Sequence, residues 1–392
     1  MKKKYDVIII GAGSVGTPTA YFLSEKGLNV LVIDKLASSG QGQNKAAIGG
    51  VRATHSDPAK ILICKQSIDI FSKWKKIKKT DIGWKKGGYC FPVFRRKEER
   101  LLKGILPIQK KFGLNIDWFG PQKISDIVPG ISKKGLIGGT YSPEDGQVSP
   151  LLCSESFTNE AVINGAKFNY KEELIGLIKE KKNKKIKING VKTQKERYFA
   201  DTVINASGAD ASEISKMAGL DIPINPESHE AGISSPVKDF LDPLVVDLRP
   251  GPQGKTDNFY FGQCSEGQII FCYTPKKKIK GTDIDSTSEF MPIMARRLVD
   301  LIPRFKNLII RRTWRGLYPM TPDGIAVVGK SEKVDNFFMG VGMCGQGFMM
   351  GPGVGLNLTN LIIKGEPLIK KEVFELLSPD RNFYCGNKEV LE

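Results

Sequence analysis

Six residues near the start of the chain, Gly11-Ala12-Gly13-Ser14-Val15-Gly16, constrain its fold more than any other feature. They follow Tyr5–Ile10, a run rich in β-branched residues of the kind found in buried parallel strands. Thr17–Lys26 then reads as a helix closed by Gly27, Asn29–Ile33 as a second strand, and Asp34 stands eighteen residues beyond Gly16. A lone GxGxxG is weak, but this one has its full context of strand, glycine turn, helix, strand and acid. Gly11 permits the tight turn, Gly13 lets a pyrophosphate approach the backbone, and Gly16 lets the helix pack close. The helix N-terminus favours the phosphates through its free N–H groups and its dipole. Asp34 suits a ribose diol and would repel the 2′-phosphate of NADP. With Ser14, Val15 and Lys35 beside them, these residues are the candidate dinucleotide site.

A parallel sheet cannot be completed by that unit alone, so later strands must join it. Thr202–Asn205 is one, running into Ala206-Ser207-Gly208, and Phe337–Val341 is another. Residues 60–80 read as helix, 85–145 as short strands with Gly/Pro turns, and 149–165 as helix followed by a basic hairpin. Between 225 and 322 alternating segments, among them Asn258–Gly262 and Gln268–Tyr273, indicate an antiparallel sheet. The expected fold is α/β plus antiparallel β: a Rossmann-like dinucleotide-binding domain with a second, inserted domain on a mainly antiparallel sheet. The expected division is 1–85, 146–222 and 323–392 for the first and 86–145 and 223–322 for the second.

A second glycine cluster bears on which dinucleotide is bound. Gly340–Phe348 (GVGMCGQGF) and Gly351-Pro-Gly-Val-Gly355 precede a helix expected over Val354–Lys364. So many glycines suit a backbone lying close to a flat ligand. A helix N-terminus there favours the negative charge a reduced flavin develops at N1–C2=O. A nicotinamide enzyme has no evident use for this second cradle; the bland alternative is a flexible loop.

Charge invites another reading. The chain carries 59 basic and 42 acidic residues, a net +17. The excess is mostly lysine in three runs, 73–79, 179–187 and 276–280, which fits a solubilising surface better than a polyanion site. Seven scattered cysteines without a CxxC pair, and only His55 and His229, argue against a disulfide framework or a metal site. The basic start, MKKKYDVIII, lacks a cleavage site and its apolar run is needed as a strand, and no apolar stretch is long enough to span a bilayer. A cytoplasmic protein without a transmembrane segment is expected.

The stretches 6–34 (DVIIIGAGSVGTPTAYFLSEKGLNVLVID), 49–57 (GGVRATHSD), 203–212 (VINASGADAS), 312–329 (RTWRGLYPMTPDGIAVVG) and 340–355 (GVGMCGQGFMMGPGVG) together resemble the D-amino-acid oxidase/glycine oxidase/sarcosine oxidase family of FAD enzymes. Within it the chain is most similar to β subunits of heteromeric sarcosine oxidase and archaeal-type proline dehydrogenase. The resemblance implies FAD extended through the first domain, with its isoalloxazine ring under the antiparallel sheet of the second. Ala206 and Gly208 would line the pyrophosphate and ribityl side, and Gly345, Gln346, Gly347, Phe348 and Met349 would approach the ring.

Departures from the family matter as much. Gly316 stands where monomeric sarcosine oxidases carry the cysteine that tethers FAD, so noncovalent FAD is expected. Tyr318 replaces the carboxylate-pairing arginine of a G-L-R-P stretch, and Met349 replaces a lysine. Arg52 is then the leading partner for a substrate carboxylate, since a guanidinium offers bidentate geometry; the alternative is an arginine that contacts only the flavin or a surface acid. Arg315 is weaker because it can face outward. Tyr318, Tyr260 and Tyr273 are candidate pocket residues, each with a buried structural role as the alternative. His55 is a candidate for binding or deprotonating the substrate amine, while His229 reads as structural.

The resemblance implies FAD-dependent oxidation of a small amino acid or secondary amine such as sarcosine, proline, glycine or an opine. The resemblance favours a dehydrogenase over an oxidase, because matching Tyr273 to the tyrosine of a G-x-K-L-G-Y-like strand puts Ile270 where monomeric sarcosine oxidases carry the lysine that assists oxygen. The rival readings are a flavin-carrying subunit of a heteromeric amine dehydrogenase, with a partner subunit or separate electron acceptor, and a tRNA-modifying flavoprotein. No nucleic-acid partner is expected.

Overall fold

The computed structural model describes residues 4–182, 185–251, 254–385 and 389–391. Two large sheets carry the chain. In the first, Phe337–Val341, Arg197–Asn205, Lys4–Ile10, Val30–Ile33 and Lys167–Asn169 lie side by side and parallel, with antiparallel Val327–Lys330 on one edge. Their near-continuous burial on both faces explains the unbroken apolar runs. The basic segment forms the antiparallel pair Leu174–Lys182 and Lys185–Thr193, with Ile188 and Val191 inward and Lys179, Lys181 and Lys185 exposed.

Register brings the sequence motifs together. Ile10 pairs with both Ile33 and Asn205, so Gly11, Asp34 and Ala206 emerge side by side from the carboxyl edge. Gly11 N–H donates to the Ile33 carbonyl at 2.8 Å and Ala206 N–H to the Ile10 carbonyl at 2.9 Å. Open α/β sheets bind ligands at this edge.

The second sheet runs in the order Ile310–Met320, Asn225–Pro236, Gln268–Pro275, Thr256–Gln263, Leu244–Asp247, Tyr89–Val93, Gly138–Ser142, Asp117–Phe119. All neighbours are antiparallel except Leu244–Asp247 with Tyr89–Val93. The strands of the first sheet all come from 1–85, 146–222 and 323–392, and those of the second from 86–145 and 223–322. We propose those ranges as the two domains.

Residues 85–145 contain more helix than expected. Arg96–Lys111 and Pro121–Ile127 are helices, and Phe290–Leu301 is a third in the region read as all-β. The first is hard to see because its charged stretch, RKEERLLK, leaves only Leu102 and Leu106 as deeply buried apolar positions. The other two cover the outer face of the second sheet, where Phe259, Phe261, Phe271 and Phe290 share a core.

The second glycine cluster is also different from the loop expected. Helix begins at Gly347 and runs through Gly351-Pro352-Gly353-Val354-Gly355 to Lys364. A Cβ on Gly351 would collide with the Ser14 carbonyl, one on Gly353 with the Ile63 carbonyl, and one on Gly355 would meet Thr19 N. These glycines let the helix seat itself against the backbone of the helices Gly16–Glu25 and Pro58–Lys78. Gly351→Ala is therefore expected to cost about 1–3 kcal/mol in urea unfolding, the cost of overpacking a filled site. Gly104→Ala, in an exposed helix with open space at the Cβ, is expected to gain up to about 1 kcal/mol instead.

Candidate functional site

The three glycines of the first motif divide their work as the spacing requires. Cβ atoms on Gly11 and Gly16 would strike the Ala206 carbonyl and the Gly11 carbonyl, whereas Gly13 faces open space, as does Gly208. Asp34 is fixed at the edge of this space. One carboxylate oxygen accepts from Ala12 N at 2.7 Å and the other from Leu36 N at 2.8 Å. Lys35 is exposed and paired with Asp210 at 2.7 Å.

The second glycine region arrives from the far end of the chain. A Cβ on Gly340 would press on Val15 and one on Gly347 would lie 3.4 Å from Ser14 Oγ. Cys344 and Gly345 adopt positive φ, 49° and 78°, and turn the backbone into the helix at Gly347. Gln346 Oε1 is buried without a hydrogen-bond partner among the described residues, a group that a ligand N–H would satisfy. Phe348 turns inward and stacks on Phe71 at 5.6 Å, while Met349 is half-buried. A cradle with open glycines, a carboxylate at its edge and an unsatisfied amide oxygen fits a dinucleotide.

Paired residues of a sheet share a face. Val246, Tyr260, Cys272, Ala231 and Trp314 form one cross-strand row, and Gly316 pairs with His229 two residues on from Trp314. Tyr318 therefore projects from the same face as Tyr260, and their hydroxyls are 2.7 Å apart. His229 stacks on the Tyr318 ring at 3.8 Å between centroids. A Cβ on Gly345 would run into that ring, so the glycine loop of the first sheet abuts the tyrosine pair of the second. Gly316 lies against Ala46, and Gln43 accepts from Leu317 N at 2.7 Å, which ties the two parts again.

Burial pushes the Tyr260 and Tyr318 hydroxyls well above their ordinary range, reinforced by Cys272 close by. Both stay protonated as donors. Burial lowers His229 to about 3, so it is neutral.

Tyr273 does not belong to this face. It pairs with Phe259 and stacks on Phe290 at 5.1 Å in the outer core, because an odd separation from Tyr260's partner Cys272 turns it away. Arg315 is buried rather than outward-facing and is held by Ser228 and the Asp285 carbonyl. Arg52 is buried beside Tyr89 and Phe91, but its terminal nitrogens donate to the carbonyls of Thr54 and Leu391. His55 is fully buried, 3.5 Å from Cys64 Sγ, and burial with Arg52 close by holds it well below its ordinary pKa. Asp145 beside Arg52 accepts from Ala53 N at 3.0 Å, and burial lifts its carboxyl to about 7. Cys272, Asp145 and Leu391 carry no local motif, and only pairing register and long-range packing bring them here.

A family model for FAD dependent oxidoreductases matches residues 6–361. The chain belongs to this family. L-proline dehydrogenase from P. horikoshii is similar in structure, with 32% identity, a TM-score of 0.88, and coverage of 97% of this chain and 98% of that one. Sarcosine oxidase subunit beta of Arthrobacter sp is 24% identical, over 93% of this chain and 88% of its own. Human mitochondrial dimethylglycine dehydrogenase is 24% identical over 98% of this chain, which spans only 45% of that protein's length. These likenesses bear out the expected fold and family. Among the described residues no helix is long and apolar enough to cross a membrane.

Gly13→Val tests the cradle. With nothing near the Cβ, apoprotein melting is expected to stay close to wild type. FAD affinity, read by quenching of flavin fluorescence, is expected to fall roughly tenfold or more as the side chain fills the phosphate approach.

Proposed function

We propose that this chain uses noncovalently bound FAD to oxidise a small amino acid or N-substituted amino acid, in the class of sarcosine, proline, glycine or an opine. The observation that carries this reading is the Tyr260–Tyr318 hydroxyl pair against Gly345, on the sheet face opposite the glycine cradle. When bound, FAD supplies the hydride acceptor at N5 for the Cα–H or N-alkyl C–H bond. Gly11, Gly13, Ser14, Val15, Gly16, Asp34, Lys35, Ala206 and Gly208 would hold its nucleotide half, and Gly345–Met349 its ring.

The chain's own task is to orient and neutralise. Two protonated tyrosines at 2.7 Å use one O–H on each other, and the second, which has only the weak acceptor Cys272 beside it, can turn to a carboxylate. Charge-assisted bonds of this kind fix the substrate so that its C–H bond points toward the cradle. Arg52, whose terminal nitrogens serve the Thr54 and Leu391 carbonyls, would add positive potential from beside Tyr89. His229 backs the Tyr318 ring and holds its plane. Noncovalent binding is supported at Gly316, which lacks a nucleophile and has Ala46 packed against it. Preference for an acceptor other than oxygen is supported by Ile270, which is buried and shares the face of Tyr260 where a lysine would speed superoxide formation. Likeness to sarcosine oxidase subunit beta favours a second reading, that the chain works as one subunit of a heteromeric dehydrogenase; size-exclusion after native purification separates the two.

Anaerobic titration with sarcosine, proline, glycine and dimethylglycine is expected to bleach the flavin with at least one of them; no bleaching by any amine or amino acid would refute the reading. Tyr260→Phe and Tyr318→Phe are each expected to raise KM by roughly tenfold or more, about 1.5–3 kcal/mol for a hydrogen bond to a charged group. Acid precipitation is expected to leave the yellow colour in the supernatant, and dye-coupled turnover to exceed turnover in air.

A further inference from the structure

We propose that Glu389–Leu391 forms the end wall of the substrate pocket, that Arg52 acts by holding this wall, and that the wall limits the substrate to a small side chain or N-substituent. The proposal rests on the function proposed above and adds a size limit to it.

Leu391 enters the pocket face of the second sheet. It is 3% exposed and packs with Tyr89, Phe91, Val93, Leu102, Leu244 and Val246. Tyr260 touches the same cluster with its ring while its hydroxyl meets Tyr318. One tyrosine thus joins the polar, carboxylate-binding end to an apolar end that Leu391 fills. The Leu391 carbonyl accepts from Arg52, whose other terminal nitrogen serves the Thr54 carbonyl. A substrate carboxylate bidentate on Arg52 would have to displace these carbonyls, so the tyrosine pair is the better anchor for the substrate and Arg52 a positioning residue.

The wall is pinned, not merely packed. Glu389 accepts from Ser56 N at 3.1 Å, Ser56 Oγ at 2.7 Å, Asp57 N at 3.3 Å and Leu391 N at 2.9 Å. Its carboxylate is 3.7 Å from Lys60 Nζ, and both side chains are fully buried. Lys60 also donates to the Gly324 carbonyl at 2.6 Å. Burial alone would raise the Glu389 carboxyl, but Lys60 and these hydrogen bonds outweigh it and hold it well below the carboxylate range. Burying an ion pair is costly unless every remaining lone pair is met, and what it secures is a fixed position. Between the two buried residues Val390 is 47% exposed, so the segment alternates in, out, in. That alternation gives Leu391 one direction, into the pocket.

The test uses the holoenzyme and unreactive carboxylates of graded size (acetate, pyrrole-2-carboxylate, indole-2-carboxylate), with binding read from the flavin absorbance spectrum. Wild type is expected to bind the two smaller acids and exclude the largest. Leu391→Ala is expected to tighten indole-2-carboxylate at least roughly tenfold relative to acetate, as the truncated side chain leaves a cavity. Leu391→Met, similar in volume, should keep wild-type selectivity, and so should Val390→Ala; flavin content of each variant shows whether it has folded. Arg52→Met is expected to shift selectivity in the same direction, with the double variant Arg52→Met/Leu391→Ala no different from the stronger single. If Leu391→Ala leaves the ratio within roughly twofold of wild type, the wall is refuted while the proposed function stands. If Arg52→Met weakens all three acids equally and additively with Leu391→Ala, Arg52 grips the carboxylate itself and the positioning role is refuted. If no carboxylate perturbs the wild-type flavin and no amine bleaches it, the function falls and the wall with it.

Discussion

The contact on which the rest depends is between two backbones: Gly351 on the helix Gly347–Lys364 and the Ser14 carbonyl in the first glycine turn. Only a residue without a Cβ can stand there. Because it does, the start of that helix lies directly over the loop that precedes the helix Gly16–Glu25, although more than three hundred residues separate them in the chain. Both helix N-termini then converge on the carboxyl edge of the parallel sheet, where Gly13 and Gly208 leave room and Asp34 is held by two backbone N–H groups. Positive helix ends and a glycine-lined floor suit an anionic pyrophosphate and, further along, an electron-accepting ring.

The second sheet completes the site through parity. Strand residues alternate between faces, so the same strands that bury Phe259, Phe271 and Tyr273 under the helix Phe290–Leu301 must present Tyr260, Ile270 and Cys272 on the other side. A one-residue slip would exchange the two sets. The aromatic core on the outer face, each large side chain contributing about 1.5–3 kcal/mol on burial, thereby fixes which residues face the cradle. Buried polar groups around the site are paired locally: Tyr260 with Tyr318 on that face, and, from neighbouring elements, Arg52 with two carbonyls and Lys60 with Glu389 and the Gly324 carbonyl.

How much of this was legible in the sequence followed the range of the interactions. The first glycine motif and Asp34 were readable because turn, helix start and strand end are all local events within one βαβ unit. The later strands were readable as apolar runs, and the two-sheet plan as a change in period. Gly351–Gly355 misled, since a glycine needed for helix packing looks the same in sequence as one needed for a ligand. Arg96–Lys111 was hidden by its charges. Tyr260 and Tyr273 were indistinguishable without the pairing register, and His229 gained its place beside Tyr318 only from the cross-strand neighbour Gly316. Lys60 carried a readable signal, a lone lysine in the apolar stretch of PAKILIC, but its partner Glu389 lies at the opposite end of the chain.

The central claim is that a flavin ring lies beside the contact of Gly345 with Tyr318, between the glycine cradle and the face bearing Tyr260. The most direct measurement is a crystal structure of the FAD-loaded protein with an unreactive carboxylate such as pyrrole-2-carboxylate. The account requires the ring against Gly345, the carboxylate within hydrogen-bond distance of the Tyr260 and Tyr318 hydroxyls, and Arg52 still on the Leu391 carbonyl. A ring bound away from the tyrosine pair, or a carboxylate seated on Arg52 with Leu391 displaced, would contradict it.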